Sequence, residues 1–387
     1  MRGLREIAYI NLVFGVWFSL LMSLDITGEG FGTVTVPLLK YLPYIFAAIA
    51  FPFFLLSVRV RFAWYSFLLF CFMILMLCGS VYALIIMQSP IEESYFGRAL
   101  GGVVFAAFYW MSFDVKYQER FFTRYERLFL TVSILMAMTI ILFRANIIGS
   151  SVTQMYHADI GIIISGILLL SPLIRNNASR TLLFIVLILS GMLSGKTTAV
   201  IVTLLLLGLY MIIKTGHLMV KWKSFDKIAA SGIVITALII LAINLTQKID
   251  SRLENRENEV RATTSALRTA EFYSSPIVGN GFTGTPLVDV STLHIPSHSD
   301  LLDLLAFGGL MTIILFYVPL GYVLIKYYAM HLNGYRENWL LAVTLAFLTV
   351  MLINPVISQP RLGFIFFSSI GWLAGHAVQM NRKVIIK

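Results

Sequence analysis

FAWYSFLLFCFMILMLCGSVYALIIM, residues 62–87, carries no charged side chain from end to end and decides the fold. About 20 apolar residues in a helix cross the roughly 30 Å hydrocarbon core of a bilayer. Inside lipid every backbone N–H and C=O needs an internal partner, so such a run must be a helix unless it belongs to a closed barrel. The alternating pattern of a barrel strand is absent here.

Working outward, similar runs recur along the whole chain. They place spans at about 7–24, 35–57, 62–87, 98–113, 127–147, 158–174, 180–194, 197–213, 228–246, 300–325, 338–354 and 362–380. Only Ser194, Gly195 and Lys196 separate the seventh and eighth, so eleven spans with a broken helix fit as well as twelve with a hairpin. The composition agrees, with 58% hydrophobic residues, 12% charged and a mean hydropathy of +0.85. A soluble domain carries about 25% charge. The expected fold is therefore an all-α, polytopic integral membrane protein, a single transmembrane domain over 1–387. Ser23, Leu24 and Asp25 make a poor cleavage site, so the first run reads as a spanning helix and not as a removable signal. Cys71 and Cys78 are seven residues apart on one intramembrane face, which suits packing and implies neither disulfide framework nor metal site.

A net charge of +10 would suggest nucleic acid in a soluble protein, but the basic residues concentrate in alternate loops. With a cytoplasmic N-terminus, the cytoplasmic pieces hold nineteen of the 29 Lys and Arg but only six of the 19 Asp and Glu. That bias predicts twelve spans in an inner membrane with both termini in the cytoplasm, the bilayer as partner and no nucleic acid.

One connection is far longer than usual, running over 246–299 on the non-cytoplasmic side. Its first half, QKIDSRLENRENEVRATTSALRTAEF, is rich in helix formers; its second half is punctuated by Pro276, Gly279, Gly281, Gly284 and Pro286. Arg261 and Arg268 are seven apart, so a helix would set them on one face about 10 Å apart. Guanidinium groups bind phosphate oxygens bidentately, and the Gly-rich exit would let backbone approach a ligand. Composition alone favours a plainer reading, an amphipathic surface helix with solvated arginines. His298 opens HSDLLDLLAFGG where the loop re-enters the membrane, and there it could take a proton from an incoming hydroxyl. Asp300 and Asp303 would orient that imidazole or simply favour a helix N-terminus. Charges at the predicted outer helix ends, Lys40, Arg98, Arg144, Asp159, Lys196 and Arg361, are five cations to one anion. Such a rim suits the headgroup of a phosphorylated lipid; ordinary snorkelling to the interface is the alternative.

In order and spacing, Arg261, Phe272, Pro276, Gly279, Gly281, His298, Ser299, Leu302, Leu305 and Gly309 resemble the O-antigen ligase and polymerase superfamily of bacterial envelope glycosyltransferases. Lys196, in LSGKTTAVIV, stands where many members have arginine, and Arg268 with Gly279 matches an Arg-x10-Gly pattern of O-antigen polymerases. The informative motifs cover about residues 194–200 and 261–309. Ser265 replaces a frequent tryptophan and Phe307 a frequent acidic residue, departures that count against the ligase in particular.

The resemblance implies a GT-C-like enzyme of lipopolysaccharide biosynthesis. Its substrate would be an undecaprenyl-pyrophosphate-linked oligosaccharide, its active site would face the periplasm, and it would need no cofactor or metal. A chain-length regulator protein is an implied partner. Under it, His298, Arg261 and Arg268 are catalytic, while Lys196, Gly279, Gly281, Asp300, Arg98, Arg144 and Arg361 bind substrate. A ligase that passes the glycan to lipid A–core is the nearest alternative. A lipid-linked oligosaccharide flippase or another transporter is a more distant one, because neither internal repeats nor a midplane charge cluster is evident.

Overall fold

The computed structural model describes residues 2–22, 41–85, 93–144, 257–281, 299–332, 338–352, 356–357 and 359–385, with scattered positions in 182–190 and 203–208. Among the described residues the chain is all helix, with no strand. In order the helices are α1 (Arg2–Met22), α2 (Leu42–Ser57), α3 (Trp64–Ile85), α4 (Glu93–Ser112), α5 (Val115–Arg144), α6 (Glu257–Ser274), α7 (Asp300–Thr312), a π-helical turn (Ile313–Tyr317), α8 (Val318–Leu332), α9 (Asn338–Val350) and α10 (Pro360–Ile385). Among the described residues three segments are long and apolar enough to cross a membrane: Trp64–Ile85, the run Asp300–Ala329, and Leu362–Gln379. The spans expected at 158–174 and 228–246 lie outside the described residues, as does most of those at 180–194 and 197–213.

Some boundaries differ from the hydropathy reading. α5 begins at Val115, twelve residues before the expected start, and α4 at Glu93 instead of 98. Apolarity marks where a helix lies in lipid, whereas backbone propensity decides how far it continues. The stretch 115–126 contains neither Gly nor Pro and many good helix formers, so the α5 helix persists through a charged segment.

The bundle is organised around α4 and α10. The span Leu362–Gln379 in α10 is almost wholly buried by its neighbours. Close approach is possible because Gly371 and Gly375 present no side chain: a Cβ on either would overlap the backbone of Phe105 or the side chain of Ser112. Small residues four apart are a common solution for helices that meet in lipid, where association relies on tight van der Waals contact. α1, α2 and α3 pack onto the same pair. At one end of the bundle Arg5 donates to the Ser57 carbonyl at 2.7 Å and lies 3.5 Å from the Asp114 carboxylate. That contact ties α1, the end of α2 and the turn before α5 together. The other end carries α6 and the start of α7.

Candidate functional site: a buried charge cluster at the loop junction

α7 opens in the manner its sequence suggests. Ser299 has extended backbone angles, and its hydroxyl accepts from the Leu302 N–H at 3.4 Å, with Asp300 and Asp303 in the first turn. Both carboxylates favour the positive end of a helix dipole. They then part ways. Asp300 accepts from the backbone N–H of Val356 and, at 2.8 Å, of Ile357, while its own N–H donates to the Met351 carbonyl at 2.9 Å. It thereby fastens the start of α7 to the connection between α9 and α10.

Asp303 instead meets two arginines from different helices. Arg268 of α6 donates from Nε to Asp303 Oδ1 at 3.0 Å, and from Nη1 to both carboxylate oxygens of Glu271 at 3.0 and 2.8 Å. Arg98 of α4 places Nη2 3.9 Å from Asp303 Oδ2. One helical turn beyond Asp303, the Phe307 ring lies 5.0 Å from the Arg98 guanidinium carbon and 4.7 Å from that of Arg268. All four charged side chains are buried. Two cations facing two anions make the cluster balanced, which offsets the large cost of taking charges from water. An aromatic face adds attraction for each guanidinium.

α6 supplies its part because Thr264, Arg268 and Glu271 fall on one buried face, at i, i+4 and i+7. The expectation of solvated loop arginines therefore fails for Arg268, since no composition reading could see the carboxylate waiting on α7. Arg98 likewise does not snorkel to a rim: its helix runs five residues further out than hydropathy indicated, and the side chain turns inward to Asp303.

The glycines have a different neighbour from the ligand suggested by sequence. Gly309 has φ +57° and ψ −157°, which breaks α7. The segment 276–281 fits against the break. Leu310 and Met311 donate their N–H to the carbonyls of Pro276 and Ile277 at 2.9 and 3.0 Å, and Asn280 and Gly281 donate theirs to the carbonyls of Ala306 and Phe307 at 3.0 and 2.9 Å. Gly279 (φ +69°) and Gly281 (φ +79°) bend the chain through this join. A Cβ on Gly279 would overlap the Phe307 carbonyl, and one on Gly309 would come within 2.5 Å of the Ile277 oxygen. Asn280 completes the turn by donating from Nδ2 to the Glu271 carbonyl at 2.8 Å.

The structure thus brings Arg98, Arg268, Asp303, Glu271, Gly279 and Gly281 to one junction, with Asp300 one turn before Asp303. Glu271 and Phe307 were not singled out from the sequence as site residues. Glu271 at i+3 from Arg268 was the available signal, and Phe307 showed only as a departure from a motif. Arg261 lies in α6 two turns before Arg268; Arg144 ends the described part of α5, and Arg361 falls in the first turn of α10. The side chains of these three, and His298 and Lys196 altogether, lie outside the described residues, as do Lys40 and Asp159.

Arg98, with only 6% of its surface exposed, faces the Asp303 carboxylate at 3.9 Å and the Phe307 ring. Chemically, the junction holds two guanidiniums over one aromatic face, Arg268 fixed by two carboxylates and Arg98 set more loosely against one of them.

What fold and cluster define is a helical protein with segments long and apolar enough to cross a membrane and a polar helix latched by charge to one end of the bundle. No protein-family model matches the chain, and no curated protein matches it in sequence.

Proposed function

We propose that this protein is a surface-polysaccharide polymerase of the O-antigen type in a bacterial inner membrane. In this reading it has twelve spans, both termini in the cytoplasm and the loop junction facing the periplasm. The donor is a glycan chain on undecaprenyl pyrophosphate, and the acceptor is the terminal sugar of another lipid-linked repeat unit. The acceptor hydroxyl attacks the anomeric carbon with inversion, the bond from that carbon to the pyrophosphate oxygen breaks, and the lipid pyrophosphate departs with the electron pair. Because the donor is already activated, the reaction invokes neither nucleotide nor metal.

The observation that supports this reading most is the pair of buried guanidiniums on Phe307, at the point where the loop meets the bundle. Arg98 would contact the pyrophosphate directly. Arg268, oriented by Glu271 and Asp303, would present its remaining donors, with Arg261 and Lys196 as further cations. Positioned donors of this kind act on charge that develops in the transition state, and losing one costs about 10²- to 10³-fold in rate. His298, which precedes the Ser299 cap and Asp300 in the sequence, is the proposed general base for the acceptor hydroxyl.

The test is glycan chain-length profiling in cells that carry Arg98→Ala, Arg268→Ala or His298→Ala at matched protein abundance. Loss of the long-chain ladder with a single repeat still attached to lipid A–core is expected for each. Normal ladders from all three would end the proposal. Loss of every attached repeat, including the first, would point to the ligase.

A further inference from the structure

The turn that joins α6 to the break in α7 carries side chains unlike those of an ordinary solvent loop. Ile277 is 67% exposed and Val278 61%, with Tyr273 at 74% on the last turn of α6. Beside them on α7 and the π turn, Leu310, Met311 and Ile314 are exposed too. The join sets the exposed turn beside the exposed Leu310 and Met311 of the apolar run Asp300–Ala329.

Depth can be counted along that run. At its inner part Lys326 Nζ lies 5.2 Å from the Tyr65 ring centre and 5.8 Å from that of Tyr322, and the Trp64 and Tyr322 ring centres are 4.9 Å apart. Aromatic rings with a snorkelling lysine mark a membrane–water interface. From Tyr322 back to Asp303 is at most about 28 Å at roughly 1.5 Å per residue, shortened by the break at Gly309 and the π turn, and so within the roughly 30 Å of a hydrocarbon core. The Arg98–Asp303–Arg268 cluster therefore lies toward the opposite boundary of the bilayer. Leu310 and Met311 lie about 10 Å deeper. Their N–H groups are the ones bonded to the carbonyls of Pro276 and Ile277, so the turn reaches that depth as well.

We propose that the 276–281 turn is a re-entrant membrane element, with Ile277 and Val278 seated among the acyl chains of the leaflet on the loop's side. Irregular backbone enters hydrocarbon only where its polar groups find protein partners. Here six of the turn's backbone groups have protein partners: the N–H groups of Gly279, Asn280 and Gly281 and the carbonyls of Pro276, Ile277 and Gly279, four of them bonded to α7. Pro276 has no N–H to satisfy. The occupant that fits the exposed side chains is lipid, because Ile277 is joined directly to Met311 on a run long and apolar enough to cross a membrane, whose own Leu310, Met311 and Ile314 are exposed. The inference rests on the chain crossing a bilayer and is independent of glycosyl transfer.

The experiment uses the full-length protein in phospholipid vesicles, in a background with Cys71→Ala and Cys78→Ala. Nitroxide labels are placed at Ile277→Cys and, separately, Val278→Cys. Ile74→Cys on the exposed face of α3 provides the lipid reference and Ala266→Cys on the exposed face of α6 the aqueous one. Collisional relaxation by oxygen is compared with that by a water-soluble nickel chelate. Labels at 277 and 278 are expected to follow 74, with oxygen dominant and a depth of about 5–10 Å below the phosphates. Nickel dominance, as at 266, would place the turn in water and overturn the proposal. Protection from both reagents would mean that protein covers the face, from this chain or a second copy, and would overturn it equally. Two labelled sites guard against one substitution disturbing the turn.

Discussion

Arg268 has its Nε on one carboxylate and its Nη1 on another, a degree of fixation that a guanidinium on a solvated helix does not reach. The energetic consequence follows from burial. Removing one partner from a buried ion pair leaves an uncompensated charge and costs about 3–5 kcal/mol, whereas exchanging both for apolar groups of similar size is often near neutral. Asp303→Ala is therefore expected to lower the unfolding midpoint of the detergent-purified protein sharply. The pair Arg268→Met with Asp303→Leu should recover most of the loss. If the double variant is as unstable as the single, the cluster does not act as a coupled unit. Glu271→Gln keeps shape and one acceptor oxygen, so its effect on stability should be the smaller. These residues also mark where sequence reading stops. Each charge could be noticed singly, but Arg268 and Asp303 are 35 positions apart, and no local spacing announces that one closes on the other.

At the scale of elements, the join between the turn and the broken helix depends on two backbone conformations that side chains resist. Gly309→Ala would incur strain of about 1–3 kcal/mol at a positive φ and drive a methyl against the Ile277 carbonyl. Gly279→Ala meets the Phe307 backbone in the same way. Either is expected to detach α6, which can be followed by trypsin cleavage after Arg268, a bond protected while that side chain is buried. Gly321→Ala, later in the same spanning run and with open space around it, should leave cleavage unchanged. The glycines were visible in the sequence as punctuation, and α7 as an apolar helix with a polar start. What they pack against was not visible, because a backbone-to-backbone join carries no side-chain signature. Helix existence was legible from uncharged runs, since hydrocarbon demands internal hydrogen bonding. Helix starts at 93 and 115 were missed because leaving lipid ends apolarity without ending the helix.

For the whole molecule, the α4–α10 contact is the axis on which both ends depend. α4 carries Arg98 near its start and reaches Ser112 at the far end, where Gln379 of α10 donates to the Ser112 carbonyl at 2.7 Å. Gly371→Leu would wedge the two helices apart, since even a Cβ overlaps Phe105. Loss of folded protein is expected, read as aggregation on size-exclusion chromatography, while Gly3→Leu, with nothing nearby, should elute normally. The interrupted helix α7 also bears on how the chain is made. Its backbone around Gly309 leaves two N–H and two C=O groups that local helix geometry does not close, and the segment that closes them lies earlier in the chain. During synthesis the ribosome therefore delivers the closing piece first. When the run beginning at Asp300 is made, the segment that bonds it already exists, and the half-helix has no need to wait with open bonds.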